Sequence, residues 1–137
     1  MKKVRLLFKV LFLIYICMVF FFCLYSFKDT GVDLSKYILG IRADRLAHFA
    51  MFFPYPFSAW LATKKELRGK FGKFSHLALL ISGLLLALIT EILQSLNPAR
   101  DTDPLDLVAN STGLLCAAAI IFKLEKFIDH VWPDRLQ

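Results

Sequence analysis

Six polar residues lie in pairs within or beside apolar stretches of this 137-residue chain. Residues three or four positions apart share one face of an α-helix. An ionisable group in lipid costs about 2.5–3.5 kcal/mol, so it usually faces a partner or a wet cavity. The pairs therefore mark a candidate site, and they are Asp44 with His48, Glu91 with Gln94, and Asp106 with Asn110.

These residue types suit acid–base chemistry on a polar substrate. Carboxyl and imidazole groups transfer protons, so we predict three catalytic residues, Glu91, His48 and Asp106. A guanidinium fork binds a phosphate or a carboxylate, and amides orient a substrate by hydrogen bonds. We therefore predict four substrate-binding residues, Arg100, Gln94, Asn110 and Asp44.

Simpler structural roles stay open for most of this set. A carboxylate close after Pro104, such as Asp106, commonly caps a helix. Asn110 could bond across to Gln94, and His48 and Arg100 could be interfacial side chains. Packing explains Glu91 least well, because contacts between helices rarely need an ionisable acid.

No metal centre and no cofactor are predicted. The spacing matches no metal motif, although a divalent cation on Glu91, Asp106 and His48 is an alternative, since carboxylates suit hard cations. The three cysteines lie in apolar runs without a C-x-x-C pair, which argues against redox or zinc chemistry. They are Cys17, Cys23 and Cys116.

Composition indicates that membrane-spanning helices position these residues. The chain is 58% hydrophobic, with a mean hydropathy of +0.59, more apolar than a soluble domain of this length. Spanning a bilayer takes about 20 apolar residues. Four segments qualify, at about 6–27, 46–63, 77–96 and 105–122. We therefore predict one all-α domain over residues 1–137, an integral membrane four-helix bundle.

The basic residues predict the orientation. They concentrate at the N-terminus and in the loop 64–73, so the positive-inside rule places both termini in the cytoplasm and residues 97–104 outside. The net charge of +6 is then membrane-flanking, and nucleic acid is not a predicted partner. The first apolar run is too long for a cleaved signal core, and Pro54 and Pro56 predict a kink or a locally unwound turn.

Small residues predict that the third and fourth segments form a tight antiparallel hairpin. Gly83 and Ala87 precede Glu91, and Gly113 and Ala117 follow Asn110, and such spacing lets helices approach closely. Glu91 lies five residues before one segment ends and Asn110 five after the next begins, about 7.5 Å deep in each case. We therefore expect a polar layer at the outer end of the hairpin.

Two motifs resemble those of the VanZ-like family. One runs Glu91-Ile-Leu-Gln94-Ser-Leu-Asn-Pro-Ala-Arg100 and continues through Asp103 to Asp106-Leu-Val-Ala-Asn110-Ser-Thr-Gly113; the other is Asp44-Arg45-Leu-Ala-His48-Phe49. The family commonly has Lys where Arg45 stands, and often Ser or Thr at Asp103. The resemblance covers the chain from residue 44 onward, with a matching first helix. It implies a small bacterial membrane protein of the cell envelope, in a family named for a member linked to teicoplanin resistance, and no defined reaction.

Two functions remain open at this point. The first is an intramembrane enzyme that acts at the outer leaflet of the cytoplasmic membrane on a lipid-linked envelope intermediate. The second is non-catalytic binding of a lipid headgroup or antibiotic, or docking of a membrane-protein partner. A transporter is a weaker third hypothesis, because four helices enclose little space and no inverted repeat is visible.

Overall fold

The computed structural model describes residues 2–25, 35–98 and 103–131, and it is largely helical. Helix α1 (Lys2–Leu24) comes first, and a short hairpin of β1 (Tyr37–Ile38) and β2 (Ile41–Arg42) leads into helix α2 (Ala43–Phe52). Helix α3 (Tyr55–Phe71) and a 3₁₀ turn (Gly72–Phe74) follow. Helix α4 (Ser75–Ser95) and helix α5 (Pro104–Val131) complete the order.

Three stretches of the described residues are helical, apolar and long enough to cross a membrane: Lys3–Leu24, Ala43–Ser95 and Pro104–Glu125. The middle stretch contains α2, α3 and α4. Two sets of contacts show that α4 runs back along α3 after the 3₁₀ turn. Tyr55 at the start of α3 bonds to Ser82 of α4, and Arg68 of α3 and His76 of α4 both bond to Glu125. The outer faces of α1 and α4 expose many large apolar side chains. This protein is therefore an all-α membrane protein, while the number of crossings remains a prediction.

The predicted interruption near Pro54 and Pro56 is confirmed, since α2 ends at Phe52 and α3 begins at Tyr55. Proline has no backbone N–H and its ring crowds the preceding turn, which removes bonds from the helical ladder. The backbone nevertheless stays close to helical at Phe53 and Pro54. The Ser58 hydroxyl donates to the Pro54 carbonyl at 2.9 Å, which supports the start of α3.

Several helix bounds differ from the predicted segments. Helix α3 continues to Phe71 and α5 to Val131, beyond the predicted ends at 63 and 122, while α1 ends at Leu24 rather than at 27. Lys, Glu, Leu and Arg are strong helix formers, so these helices continue past their apolar parts. Helix α3 stops at Gly72, whose φ of 51° favours glycine.

The buried core is formed by large apolar side chains from all five helices, including Val19, Phe52, Trp60, Leu79 and Leu114. Helix α1 packs on α3 and α4, while α2 packs mainly on α5. Helices α4 and α5 run antiparallel, because Glu91 meets Asn110 near one end and His76 meets Glu125 near the other.

The predicted hairpin of α4 and α5 is present, but one of its small residues has a different role. A Cβ atom on Gly113 would lie 2.5 Å from the carbonyl oxygen of Phe49 in α2. The expectation that Gly113 brings α5 close to α4 is therefore wrong, because α2 occupies that face. Gly83 does face α5, where an added Cβ would lie 2.8 Å from the Leu114 side chain.

Candidate functional site

Three helices bring five of the predicted site residues together at one end of the molecule. Helix α2 supplies Asp44 and His48, α4 supplies Glu91, and α5 supplies Asp106 and Asn110. Helical geometry places the members of the pairs 44/48 and 106/110 one turn apart on the same face, and the close packing of α2 on α5 brings the two pairs into contact. We call these five residues the His48 cluster.

His48 is the centre of the cluster and is only 1% exposed. Its Nδ1 lies 3.0 Å from Asn110 Oδ1, and Asn110 Nδ2 donates to Glu91 Oε1 at 2.9 Å. Because the amide nitrogen faces Glu91, the amide oxygen accepts from His48, and the imidazole therefore carries a proton on Nδ1. A hydrogen-bonded chain thus runs from the imidazole of α2 through α5 to the carboxylate of α4.

The other ring nitrogen of His48 faces two carboxylates. Its Nε2 lies 3.8 Å from Asp44 Oδ1 and 3.7 Å from Asp106 Oδ2. Both distances exceed a normal hydrogen bond. One ligand atom from each of these three residues lies within 4.8 Å of the others, an arrangement able to hold a metal ion. The alternative metal site suggested by the sequence consisted of Glu91, Asp106 and His48. In the structure, Asp44 replaces Glu91 in this group.

A rim of charged side chains adjoins the His48 cluster. Asp103 Oδ2 accepts from Arg42 Nη1 at 3.1 Å and from Arg45 Nη2 at 2.8 Å. Both guanidinium groups are roughly one-quarter exposed, so the rim faces the surface. The hydrogen bond from Arg45, followed by the one from the Leu105 backbone, holds the pKa of the Asp103 carboxyl below its ordinary value of 3.8.

Asp103 also caps α5, the role that the sequence left open for Asp106. The backbone N–H of Leu105 donates to Asp103 Oδ1 at 3.0 Å, and Pro104 occupies the first helical position, as is common. Asp106 therefore does not cap the helix, and within residues 2–25, 35–98 and 103–131 its buried Oδ1 has no hydrogen-bond partner.

One predicted substrate-binding residue, Gln94, bonds to a different helix from those of the His48 cluster. Gln94 is buried, and its side-chain nitrogen donates to the Cys23 carbonyl at 2.7 Å, so it joins α4 to α1. Asn97 makes a similar bond to the Leu24 carbonyl at 3.2 Å. Arg100 lies outside the described residues.

A second polar cluster, which the sequence prediction missed, lies at the opposite end of the molecule. Glu125 of α5 accepts hydrogen bonds from Trp60 Nε1 at 3.1 Å and from Arg68 Nη2 at 2.6 Å. His76 also bonds to its carboxylate, and Lys64 Nζ lies 3.6 Å away. The spacing of the sequence could have indicated that Glu125 is buried, because position 125 lies on the same face of α5 as Ala117, Ala118 and Ile121.

The helical fold, the exposed apolar surfaces and the buried polar cluster at one end define a helical membrane protein with polar side chains packed between its helices. A family model described as VanZ/LLP1 matches residues 12–126, most of the chain, and the protein belongs to this VanZ-like family. The resemblance inferred from the two motifs is thereby confirmed. Searches of curated proteins and of solved structures find no significant match.

Proposed function

We propose that this VanZ-like protein acts on lipid-linked cell-envelope material at the outer leaflet of the bacterial cytoplasmic membrane, using the His48 cluster. In this proposal four segments cross the membrane: α1, the broken pair α2 and α3, α4, and α5. Both termini are cytoplasmic, and the His48 cluster lies beneath the outer surface. The opposite end carries most of the basic residues, as the positive-inside rule expects of a cytoplasmic face.

One observation carries the proposal. The buried imidazole of His48 lies between Asp44 and Asp106 on one side and Glu91 on the other, and the Asn110 side chain connects it to Glu91 by hydrogen bonds. Buried polar groups with a purely structural role normally satisfy one another. Here Asp106 Oδ1 has no partner among the described residues, and His48 Nε2 lies beyond hydrogen-bond distance of both Asp44 and Asp106. Asp106 Oδ1 and His48 Nε2 could therefore form hydrogen bonds with a lipid headgroup.

The rim supports binding of an anionic group. Arg42 and Arg45 both contact Asp103, Arg42 Nη2 also lies 3.6 Å from Asp44 Oδ2, and the two partly exposed guanidinium groups stand side by side at the rim. Guanidinium groups bind phosphate through paired N–H donors. A phosphate at the rim would place the neighbouring polar part of a lipid-linked intermediate against the His48 cluster. Glu91 would then exchange a proton with that substrate, and the Asn110 amide would hold the Glu91 carboxylate and the His48 ring in fixed positions.

Non-catalytic binding of a lipid headgroup or an antibiotic is the second candidate. It is favoured by the bond from Asn110 to Glu91 and by the bonds from the two arginines to Asp103, which hold the site rigid. Both candidates link the protein to envelope antibiotics, and teicoplanin susceptibility is the readout that the family name suggests.

Glu91→Gln tests the acid–base role. The substituted amide keeps an oxygen that accepts from Asn110, so folding should survive, but proton exchange at this position is lost. Removal of a general acid or base typically costs about 100-fold or more in rate. We expect loss of protection against teicoplanin in cells that keep a normal level of the protein in their membranes.

Glu66→Gln is the matched control, because Glu66 is half exposed and paired with Lys9 far from the His48 cluster. It should leave both susceptibility and membrane level unchanged. Normal protection by Glu91→Gln at a normal membrane level would refute the catalytic role and leave the binding role.

A further inference from the structure

The side of the His48 cluster that faces away from Glu91 has the features of a metal site. Asp44 and His48 lie one turn apart on α2, and Asp106 lies opposite them on α5. The separations of 3.8 and 3.7 Å from Nε2 to the two carboxylate oxygens are too long for hydrogen bonds. Ligands that each lie about 2.0–2.2 Å from one cation are only slightly closer to each other than this.

The orientation of the His48 ring matches that of a metal ligand. Asn110 accepts from Nδ1, so the lone pair of a neutral imidazole is on Nε2, the atom that faces Asp44 and Asp106. Metal-bound histidines usually donate their other N–H to a fixed acceptor, which orients the ring. Asn110 is such an acceptor, and its own bond to Glu91 fixes the amide.

An orphaned buried oxygen gives independent support. Asp106 is 3% exposed, yet its Oδ1 has no hydrogen-bond partner in the part of the chain that the structure describes. A buried carboxylate without compensation is costly. Among the described residues, the cluster and its rim contain four carboxyl groups against two guanidinium groups, so a divalent cation would balance the charge of the ionised set. The residues are Asp44, Glu91, Asp103 and Asp106 against Arg42 and Arg45.

We infer that Asp44, His48 and Asp106 bind one divalent cation. One imidazole nitrogen with two carboxylate oxygens suits Zn²⁺ or Mn²⁺ better than Mg²⁺ or Ca²⁺, which favour oxygen ligands alone. Three protein ligands leave coordination positions open, as in sites that bind a further ligand. An added ligand would be a phosphate oxygen of the lipid-linked substrate, and this last step alone rests on the proposed function.

Metal binding by the purified full-length protein tests the inference. The protein is prepared in detergent without a histidine tag, stripped with a chelator and titrated with Zn²⁺ and, separately, with Mn²⁺. We expect one high-affinity cation per chain and a higher unfolding temperature in its presence. Asp106→Asn should lower the affinity about 100-fold or more, beyond the 10–100-fold that loss of an outer-shell partner costs.

Asp44→Asn provides a second ligand variant in case Asp106→Asn does not fold, and it should also remove the rise in unfolding temperature. Glu66→Gln is the control and should bind like the unsubstituted chain. The inference is overturned if neither cation binds at 1 mM, or if both Asp variants bind as tightly as the control. Loss of function in Glu91→Gln without any metal binding would keep the proposed function and reject the cation. Metal binding with a fully functional Glu91→Gln would keep the cation site and refute the catalytic role.

Discussion

Glu125 shows how much a single buried carboxylate can organise in this protein. It is 4% exposed and lies between three basic side chains and the Trp60 indole. Lys64 is also mostly buried, and its ammonium lies 4.4 Å from the centre of the Trp60 ring. Lys64 is therefore a nearly buried cation close to the carboxylate, while Arg68 is partly solvated.

Replacing this carboxylate by an amide should destabilise the protein markedly. Glu125→Gln keeps an acceptor for Trp60 but leaves the buried Lys64 ammonium without the negative charge of Glu125. Removing one partner of a buried ion pair typically costs about 3–5 kcal/mol. We expect a loss of about 3 kcal/mol in the free energy of unfolding, measured by denaturant titration in detergent.

The same chemical change at an exposed pair gives the comparison. Glu66→Gln removes a bridge to Lys9 in which both side chains are about half exposed, and exposed pairs contribute roughly 0–1 kcal/mol. Equal unfolding free energies for Glu125→Gln and Glu66→Gln would show that the Glu125 cluster contributes no more than a surface contact.

The sequence predicted the His48 cluster well because helical spacing decides which residues of one helix lie together. Asp44 with His48 and Asp106 with Asn110 follow from a separation of four. Which neighbour each pair meets depends on packing, and no spacing rule could show that Gln94 bonds to α1. Glu125 was missed for a related reason, since its partners come from α3 and α4.

At the scale of the elements, the contact of α2 with α5 determines the geometry of the site. Gly113 lies three residues after Asn110, and its missing side chain lets the Phe49 backbone approach. Phe49 is the neighbour of His48, so the distance between the two helices also sets the distance from the imidazole to Asn110. A close approach of this kind is typical of small residues in membrane helices.

Gly113→Ala should therefore disturb the site as well as the packing. The added Cβ would lie 2.5 Å from a backbone oxygen that cannot rotate away, and overpacking typically costs about 1–3 kcal/mol. We expect a comparable loss of unfolding free energy, with reduced function or metal affinity as α2 is displaced.

Gly69→Ala in α3 is the control, since a Cβ there meets nothing within 4 Å. In a helix interior alanine is favoured over glycine by about 1 kcal/mol, so this change should be neutral or stabilising. An equally stable and active Gly113→Ala would contradict the assigned role of the α2–α5 contact.

The existence of the helices was predicted more accurately than the residues at which they begin and end. Apolar runs identify the parts of helices that face lipid or core, and these runs gave α1, α4 and the interrupted pair of α2 and α3. They do not show where a helix ends, because the last turns of α3 and α5 are charged yet helical. The hairpin β1–β2 also escaped notice, since Leu39 and Gly40 both adopt positive φ and only the glycine signals it.

At the scale of the whole molecule, the two polar clusters lie at opposite ends of the bundle. The end with the His48 cluster includes the hairpin, where Leu39 is fully exposed. The end with Glu125 includes the exposed basic residues Lys65, Lys70 and Lys73. This distribution of basic residues predicts that the β1–β2 hairpin is extracytoplasmic and that the 3₁₀ turn is cytoplasmic.

Single cysteines in a variant without the native Cys17, Cys23 and Cys116 test this orientation. An impermeant maleimide should label Leu39→Cys in intact cells. Lys70→Cys should react only after the cytoplasmic membrane is permeabilised. Labelling of Lys70→Cys but not Leu39→Cys in intact cells would invert the orientation and move the proposed site to the cytoplasmic leaflet.

Helix α5 carries a polar cluster at each end of one buried face, so we expect the stability of the protein to depend on the thickness of its bilayer. Asp106 and Glu125 are nineteen residues apart, or about 28 Å along the helix, close to the ~30 Å of a typical hydrocarbon core. A thicker bilayer would draw one cluster into hydrocarbon, and a thinner one would expose the apolar face of α1 to water. Hydrophobic mismatch costs fractions of a kcal/mol per Å, so stability in vesicles of increasing acyl-chain length should pass through a maximum. In Glu125→Gln, which lacks the charge at one end, that maximum should be broader on the side of the longer chains.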